Sequence, residues 1–261
     1  MDLNLSGKRA LVGGSTQGIG KAAAVELALL GAEVTLLARN ENSLAEVCKE
    51  LPNNGKQHHN FLVADFLNPD ELKNVLDSFL EDFSIQILVN NTGGPPGGPI
   101  IEADYKAFEK ALTAHLHCGH LLVQAVVPSM KNSGYGRIIN VISTSVKIPI
   151  PGLGVSNTTR GAVASWAKTL SFEVGKHGIT VNNVLPGFTT TGRLDQIVGN
   201  VASKKGVSTG DVEKEMQSTV PLERFGSPEE VAALIAFLST PAAAYITGTS
   251  TQVDGGRTGS I

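Results

Sequence analysis

Short apolar runs alternate with segments of helical period from the start of this chain, and no other feature narrows its fold so much. Lys8 to Gly13, centred on Ala10, Leu11 and Val12, is an apolar run ending in glycines. Gly18 to Leu30 follows as an Ala- and Leu-rich helix stopped by Gly31. Val34 to Ala38 and Ser43 to Leu51 repeat the pair. Phe61 to Ala64, Ile87 to Val89, Arg137 to Ile142 and Thr180 to Leu185 read as further buried strands. Pro69 suits the first position of a helix reaching Phe83. From Arg160 to Val174, residues Val163, Trp166, Ala167, Leu170 and Val174 share one helical face. Strands that are short and continuously apolar, separated by helices, form a parallel sheet covered on both faces. The expected fold class is therefore α/β, one doubly wound parallel sheet of about seven strands. The Gly/Pro stretch Gly93 to Pro99 is a loop too short for a linker, so residues 1–261 are read as a single domain.

Composition excludes several partners. The net charge is −3, and no run of Lys or Arg stands out. A nucleic-acid or anionic-membrane surface is not expected. Cys48 and Cys118 have neither metal-ligand nor disulfide-framework spacing, which fits a reducing compartment. Met1 to Lys8 is too polar and short for a signal peptide, and no segment reaches the ~18–20 apolar residues of a membrane span. A cytoplasmic location is expected. His115, His117, Cys118 and His120 fall on one predicted helix. Adjacent helical side chains point about 100° apart, and no acidic residue lies close by, so packing is expected there and no metal.

The first strand runs into Gly13-Gly14-Ser15-Thr16-Gln17-Gly18-Ile19-Gly20 and then a helix. Glycines there let the backbone turn sharply and approach a pyrophosphate, while the helix N-terminus offers free N–H groups. A tight turn with no ligand would look similar. Its position at the first strand-to-helix turn of a Rossmann-type pattern favours a dinucleotide. Gly14, Ser15, Gln17, Gly18, Ile19 and Gly20 are the candidate contacts. The second strand ends Leu37-Ala38-Arg39, with no acid before Glu41. An acid at that place binds a ribose 2′-hydroxyl and a base accommodates a 2′-phosphate, so Arg39 points to NADP(H) over NAD(H). A solvated surface arginine is the alternative.

The glycine loop resembles the Thr-Gly-x-x-x-Gly-x-Gly pattern of the short-chain dehydrogenase/reductase family. Gly14, Gly18 and Gly20 are in register, and Gly13 replaces the Thr whose hydroxyl braces the turn. Asp65 is similar to the family's adenine-contacting Asp, and Asn90-Asn91-Thr92-Gly93 to its Asn-Asn-Ala-Gly element. Pro186-Gly187, with Thr191 beyond, matches the segment that contacts nicotinamide, and Asp254-Gly255-Gly256 matches the C-terminal signature. The resemblance therefore implies cofactor contacts from Asp65, Asn91, Gly93, Pro186, Gly187 and Thr191. It implies a carbonyl or alcohol substrate, a mobile lid within Phe188 to Val220, and a homo-oligomer, tetramer or dimer. Gln17 stands where many NADP-preferring relatives carry a second basic residue.

At the catalytic positions the chain departs from the family. Ser143 falls on the catalytic serine. Counting back from Ala167-Lys168-Thr169-Leu170 places Ser156 on the tyrosine and Arg160 on the lysine, and His115 falls on the asparagine. No tyrosine lies between Ser143 and Trp166. A phenol, with its pKa near ~10, can be tuned into working range, whereas an alkyl hydroxyl is a far weaker acid. Arg160 can still hold ribose hydroxyls through its several donors. Three readings compete. The chain is an oxidoreductase of a divergent subgroup resembling 3-oxoacyl-[acyl-carrier-protein] reductases, its proton coming from His115 or from water held by Ser143. It is an NADP(H)-binding sensor or partner protein without turnover. Or its pocket runs a different reaction, such as hydration or elimination. The first is the expectation carried forward.

Overall fold

A computed structural model describes residues 1–260. Seven parallel strands form one sheet in the order β3-β2-β1-β4-β5-β6-β7. They are β1 (Arg9–Gly13), β2 (Glu33–Ala38), β3 (Asn60–Val63), β4 (Ile87–Asn90), β5 (Gly136–Val141), β6 (Ile179–Pro186) and β7 (Ser250–Val253). The expected strands lie within one residue of these bounds. β7, half-buried at the sheet edge, was not separately legible because its residues Ser250 to Val253 are mostly polar.

Alternate strand residues feed opposite faces. Ala10, Val12, Leu36, Ile87 and Val89 pack with α1 (Gly18–Leu29), α2 (Glu41–Glu50) and α9 (Pro228–Ser239). Leu11, Leu37, Leu88 and Ile138 pack with α3 (Pro69–Asp82), α5 (Cys118–Ser133) and α6 (Gly154–Val174). Small residues on α1, including Ala24 and Ala28, share one buried cluster with Ala232 of α9 and let the two helices pack closely. Helix starts are chemically marked. The Asn68 side chain accepts the Glu71 N–H with Pro69 in the first turn, and Ser227 and Glu230 form a capping box on α9.

α4 (Tyr105–Leu112) passes into α5 through a π turn, Thr113–His117. The cluster of histidines and Cys118 expected on one helix therefore straddles a widened turn. Phe188 to Val220, expected as a lid, contains α7 (Gly192–Lys205) and α8 (Thr209–Ser218). Leu194, Val198, Ala202 and Val212 give this pair its own small core. Among the described residues no helix is long and apolar enough to cross a membrane.

Candidate active site

The strand order reverses between β1 and β4, and loops leaving the C-terminal strand ends there part to leave a cleft. Gly14, Gln17, Gly18 and Ile19 form one wall, Asn91, Thr92 and Gly93 the floor, and Pro186, Gly187 and Thr191 the opposite side. A second, contiguous hollow extends past Gly14 and Gln17 to Arg39, Asn40 and Asp65. The loop is held by its neighbours. Asn91 Nδ2 donates to the carbonyls of Gly13 (3.2 Å) and Gly14 (3.3 Å). A Cβ on Gly13 would lie 3.0 Å from the Phe66 ring and 2.9 Å from the Asn91 carbonyl. Phe66 thus fills the space a side chain would need, and Asn91 supplies the brace missing from position 13.

Most of the sequence candidates meet in this cleft, but Ser15 and Gly20 lie beneath it. Ser15 is fully buried, and its hydroxyl accepts the Leu37 N–H at 3.0 Å, tying the loop to β2. The Ser15 side chain is thus a strut, and the expected cofactor contact from this residue falls to its backbone. Gly20 backs onto the Gly14 carbonyl.

Ser143 follows β5 by two residues and caps a short 3₁₀ turn, its Oγ accepting the Ser145 N–H at 3.1 Å. Ser156 and Arg160 sit one turn apart on α6, and both line the cleft with Ser143. Arg160 is 7% exposed. Its Nη1 donates to the Val141 carbonyl at 2.9 Å, while its buried Nε has no partner in the protein. Burial, reinforced by the like charge of Arg193, pulls its pKa down to about 10. None of the chain's three tyrosines lines the cleft. Tyr135 donates to the Ser239 carbonyl, and Tyr105 and Tyr245 are exposed.

A polar ladder beneath the cleft escaped the sequence reading. Asn90 Nδ2 donates to Asn140 Oδ1 (2.9 Å), Asn140 Nδ2 to Asn183 Oδ1 (3.0 Å), and Asn183 Nδ2 to Ser250 Oγ (3.0 Å). These residues are register partners across β4, β5, β6 and β7. The signal was present as amides within largely apolar strands, Asn90 in β4, Asn140 in β5 and Asn183 in β6. Asn90 Oδ1 remains without a partner and faces a small cavity shared with His115 and Arg160.

A family model described as enoyl-(acyl carrier protein) reductase matches residues 14–258. A 3-oxoacyl-[acyl-carrier-protein] reductase of Synechocystis is 34% identical over 97% of this chain and 97% of its own. A tropinone reductase homolog of Arabidopsis thaliana is 33% identical over 98% of this chain and 92% of its own. L-sorbose reductase from Gluconobacter frateurii, solved with NADPH and L-sorbose, superposes with TM-score 0.93 at 30% identity over the full length of both chains. The chain belongs to the short-chain dehydrogenase/reductase family. This family membership implies a nicotinamide cofactor, and the cleft fits one. The glycine loop presents backbone against open space, and the unpartnered Arg160 Nε is a buried donor without an acceptor. Against the family's catalytic pattern, α6 presents a serine and an arginine to the cleft.

His115 is buried, and its imidazole pKa falls from 6.5 to about 2, through desolvation first and the Arg160 charge second, with the Gly93 backbone opposing. It is therefore neutral at physiological pH and holds no imidazolium proton to give, which removes the near-neutral titration that made it a candidate acid. The consequence for stability has a definite sign. The unfolded chain binds a proton near pH 6.5 that the folded chain refuses, so stability is lost as pH falls below 6.5. The contribution is up to about 1.4 kcal/mol per pH unit. Urea unfolding between pH 7 and 5 should show this slope, and His115→Asn should flatten it.

The other members of the cluster diverge. The Cys118 thiol donates to the Phe66 carbonyl, and His120 meets Trp166 edge-on at 6.0 Å. Among the described residues no group of three His, Cys, Asp or Glu is placed to hold a metal ion.

Proposed function

We propose that this protein is an NADP(H)-preferring oxidoreductase that reduces a carbonyl or oxidises the corresponding alcohol. The observation that carries this reading is that Ser143, Ser156 and Arg160 line the same cleft as Gly14, Gln17 and Gly18. When bound, the reduced nicotinamide supplies a hydride to the carbonyl carbon. Gly14, Gln17, Gly18 and Ile19 would hold the pyrophosphate side, Asn91, Gly93, Pro186, Gly187 and Thr191 the nicotinamide side, and Asp65 the adenine. Because Ser143 Oγ already accepts from Ser145, its own O–H is left to donate to the substrate oxygen. The Arg160 cation, little screened at its depth, holds the ribose and stabilises charge growing on that oxygen. Water entering the cleft gives the final proton and leaves as hydroxide; in the oxidising direction the proton returns to it. Ser156 fills the place of a phenol and lacks the acidity to serve as one.

Arg39 supports the NADP(H) preference. It is exposed at the mouth of the adenosine hollow and only loosely paired, 3.8 Å from Asp65. A 2′-phosphate would gain charge-assisted bonds of about 1.5–3 kcal/mol from it. Arg39→Ala should therefore weaken NADPH roughly 10- to 100-fold and leave NADH within about twofold, measured by nucleotide fluorescence. Equal losses for both cofactors would remove Arg39 from this role.

The competing reading, an NADP(H)-binding protein without turnover, draws on the absence of tyrosine from the cleft. Consumption of NADPH with any ketone, lowered by Ser143→Ala, decides for the enzyme. A homo-oligomer, tetramer or dimer, and a cytoplasmic setting complete the proposal. Phe172 on α6, 74% exposed, supports an apolar contact, and the free thiols Cys48 and Cys118 suit a reducing compartment.

A further inference from the structure

We infer that the substrate of this cleft carries an anionic group, a carboxylate or a phosphate ester, received by Arg193 with Arg160 behind it. The inference rests on the oxidoreductase reading and names its substrate class.

Arg193 lies in the first turn of α7 and reaches back across the cleft to the Gly93–Pro99 loop, where its Nη2 donates to the Pro95 carbonyl at 2.5 Å. The two guanidinium groups converge. A Cβ built on Gly94 would stand 3.7 Å from Arg160 Nη2 and 3.9 Å from both Nε and Nη2 of Arg193. Two cations brought to one point ordinarily enclose a carboxylate, yet among the described residues lining this cleft there is no Asp or Glu. Asp254, behind Gly187, accepts the backbone N–H groups of Gly256 and Thr258 within its own loop. The positive charge is thus built in and uncompensated, and Arg160 Nε is a nine-tenths-buried donor with no protein acceptor. Desolvated like charges are retained at a cost, which a bound anion repays by adding charge-assisted bonds. The pyrophosphate of a dinucleotide is served by the glycine loop and the α1 N-terminus. Arg193 lines the cleft together with Ser143 and Ser156, the positions facing the substrate oxygen in this reading.

The protein saturated with NADP⁺, which prevents turnover of a ketone, is titrated by calorimetry with two matched pairs. These are acetoacetate against methyl acetoacetate, and dihydroxyacetone phosphate against dihydroxyacetone. In at least one pair the anion should bind about tenfold or more tighter than its neutral partner, and the pair that responds identifies carboxylate or phosphate. Arg193→Gln should bring that ratio to within about twofold and weaken the anion more than NADP⁺. Arg193→Lys, which keeps the charge, should retain most of the ratio, separating charge from loss of the Pro95 contact. Equal binding within both pairs overturns the inference while leaving the oxidoreductase reading standing. A Gln variant that weakens NADP⁺ as much as the anion overturns it too, assigning Arg193 to the dinucleotide. Failure of NADP⁺ itself to bind removes the underlying reading and this inference with it.

Discussion

Replacing Gly20 with alanine lowers NADPH affinity about 100-fold or more. The added Cβ would stand 2.2 Å from the Gly14 carbonyl oxygen and 2.7 Å from Asn91 Nδ2. Neither neighbour can yield cheaply. The Gly14 carbonyl belongs to the turn that forms the cleft wall, and Asn91 holds that turn through both the Gly13 and Gly14 carbonyls. Overpacking of this kind costs about 3 kcal/mol at the upper end of its usual range. That energy opens the turn and is charged against any ligand that needs it closed, at about 1.4 kcal/mol per tenfold in affinity. Nucleotide fluorescence reads the loss, and far-ultraviolet circular dichroism verifies that the sheet persists. Unchanged affinity in a folded variant would mean that the glycine loop does not form the binding wall.

Ketone reduction by the double variant Ser156→Tyr, Arg160→Lys is expected to exceed that of the native chain by about 10²-fold. A positioned general acid is worth roughly 10²- to 10⁴-fold, and the native cleft has none. Ser156 lines a cleft of about 290 Å³, so a phenol there has room to extend toward the substrate. A lysine one turn later would supply the cation that makes the phenol acidic enough to work. The gain is set at the lower end because Arg160 also bonds the Val141 carbonyl, and lysine gives that contact up. Steady-state rates at saturating NADPH measure the change. A further loss of rate would show that the serine and arginine perform chemistry of their own.

Strand and helix alternation was legible because each buried strand is a continuous apolar run and each helix is punctuated by Gly, Pro or a capping residue. Pro69 and Gly31 marked ends that the fold uses as expected. The motifs at Gly14, Asn91 and Pro186 were legible because backbone approach to a ligand leaves glycine and proline in fixed order. Elsewhere the answer depended on what packs against a residue. Ser15 reads as one more polar loop residue until β2 is placed beside it. The loss of a hydroxyl at Gly13 reads as a defect until Phe66 and Asn91 are seen to occupy its space. His115 looked like an acid because imidazole titrates near neutrality in water; burial beside Arg160 reverses that. Arg193 carried no signal at all, since its meaning comes from meeting Arg160 across Gly94, far apart in the chain.

Direct titration of the folded native protein with NADPH and NADH tests the central claim, an intact dinucleotide cleft with a 2′-phosphate preference. Saturable NADPH binding, about tenfold or more tighter than NADH, is the result predicted from the glycine loop and Arg39. Binding of neither nucleotide would contradict the account, since a cleft of this shape would then have been turned to a ligand of another kind.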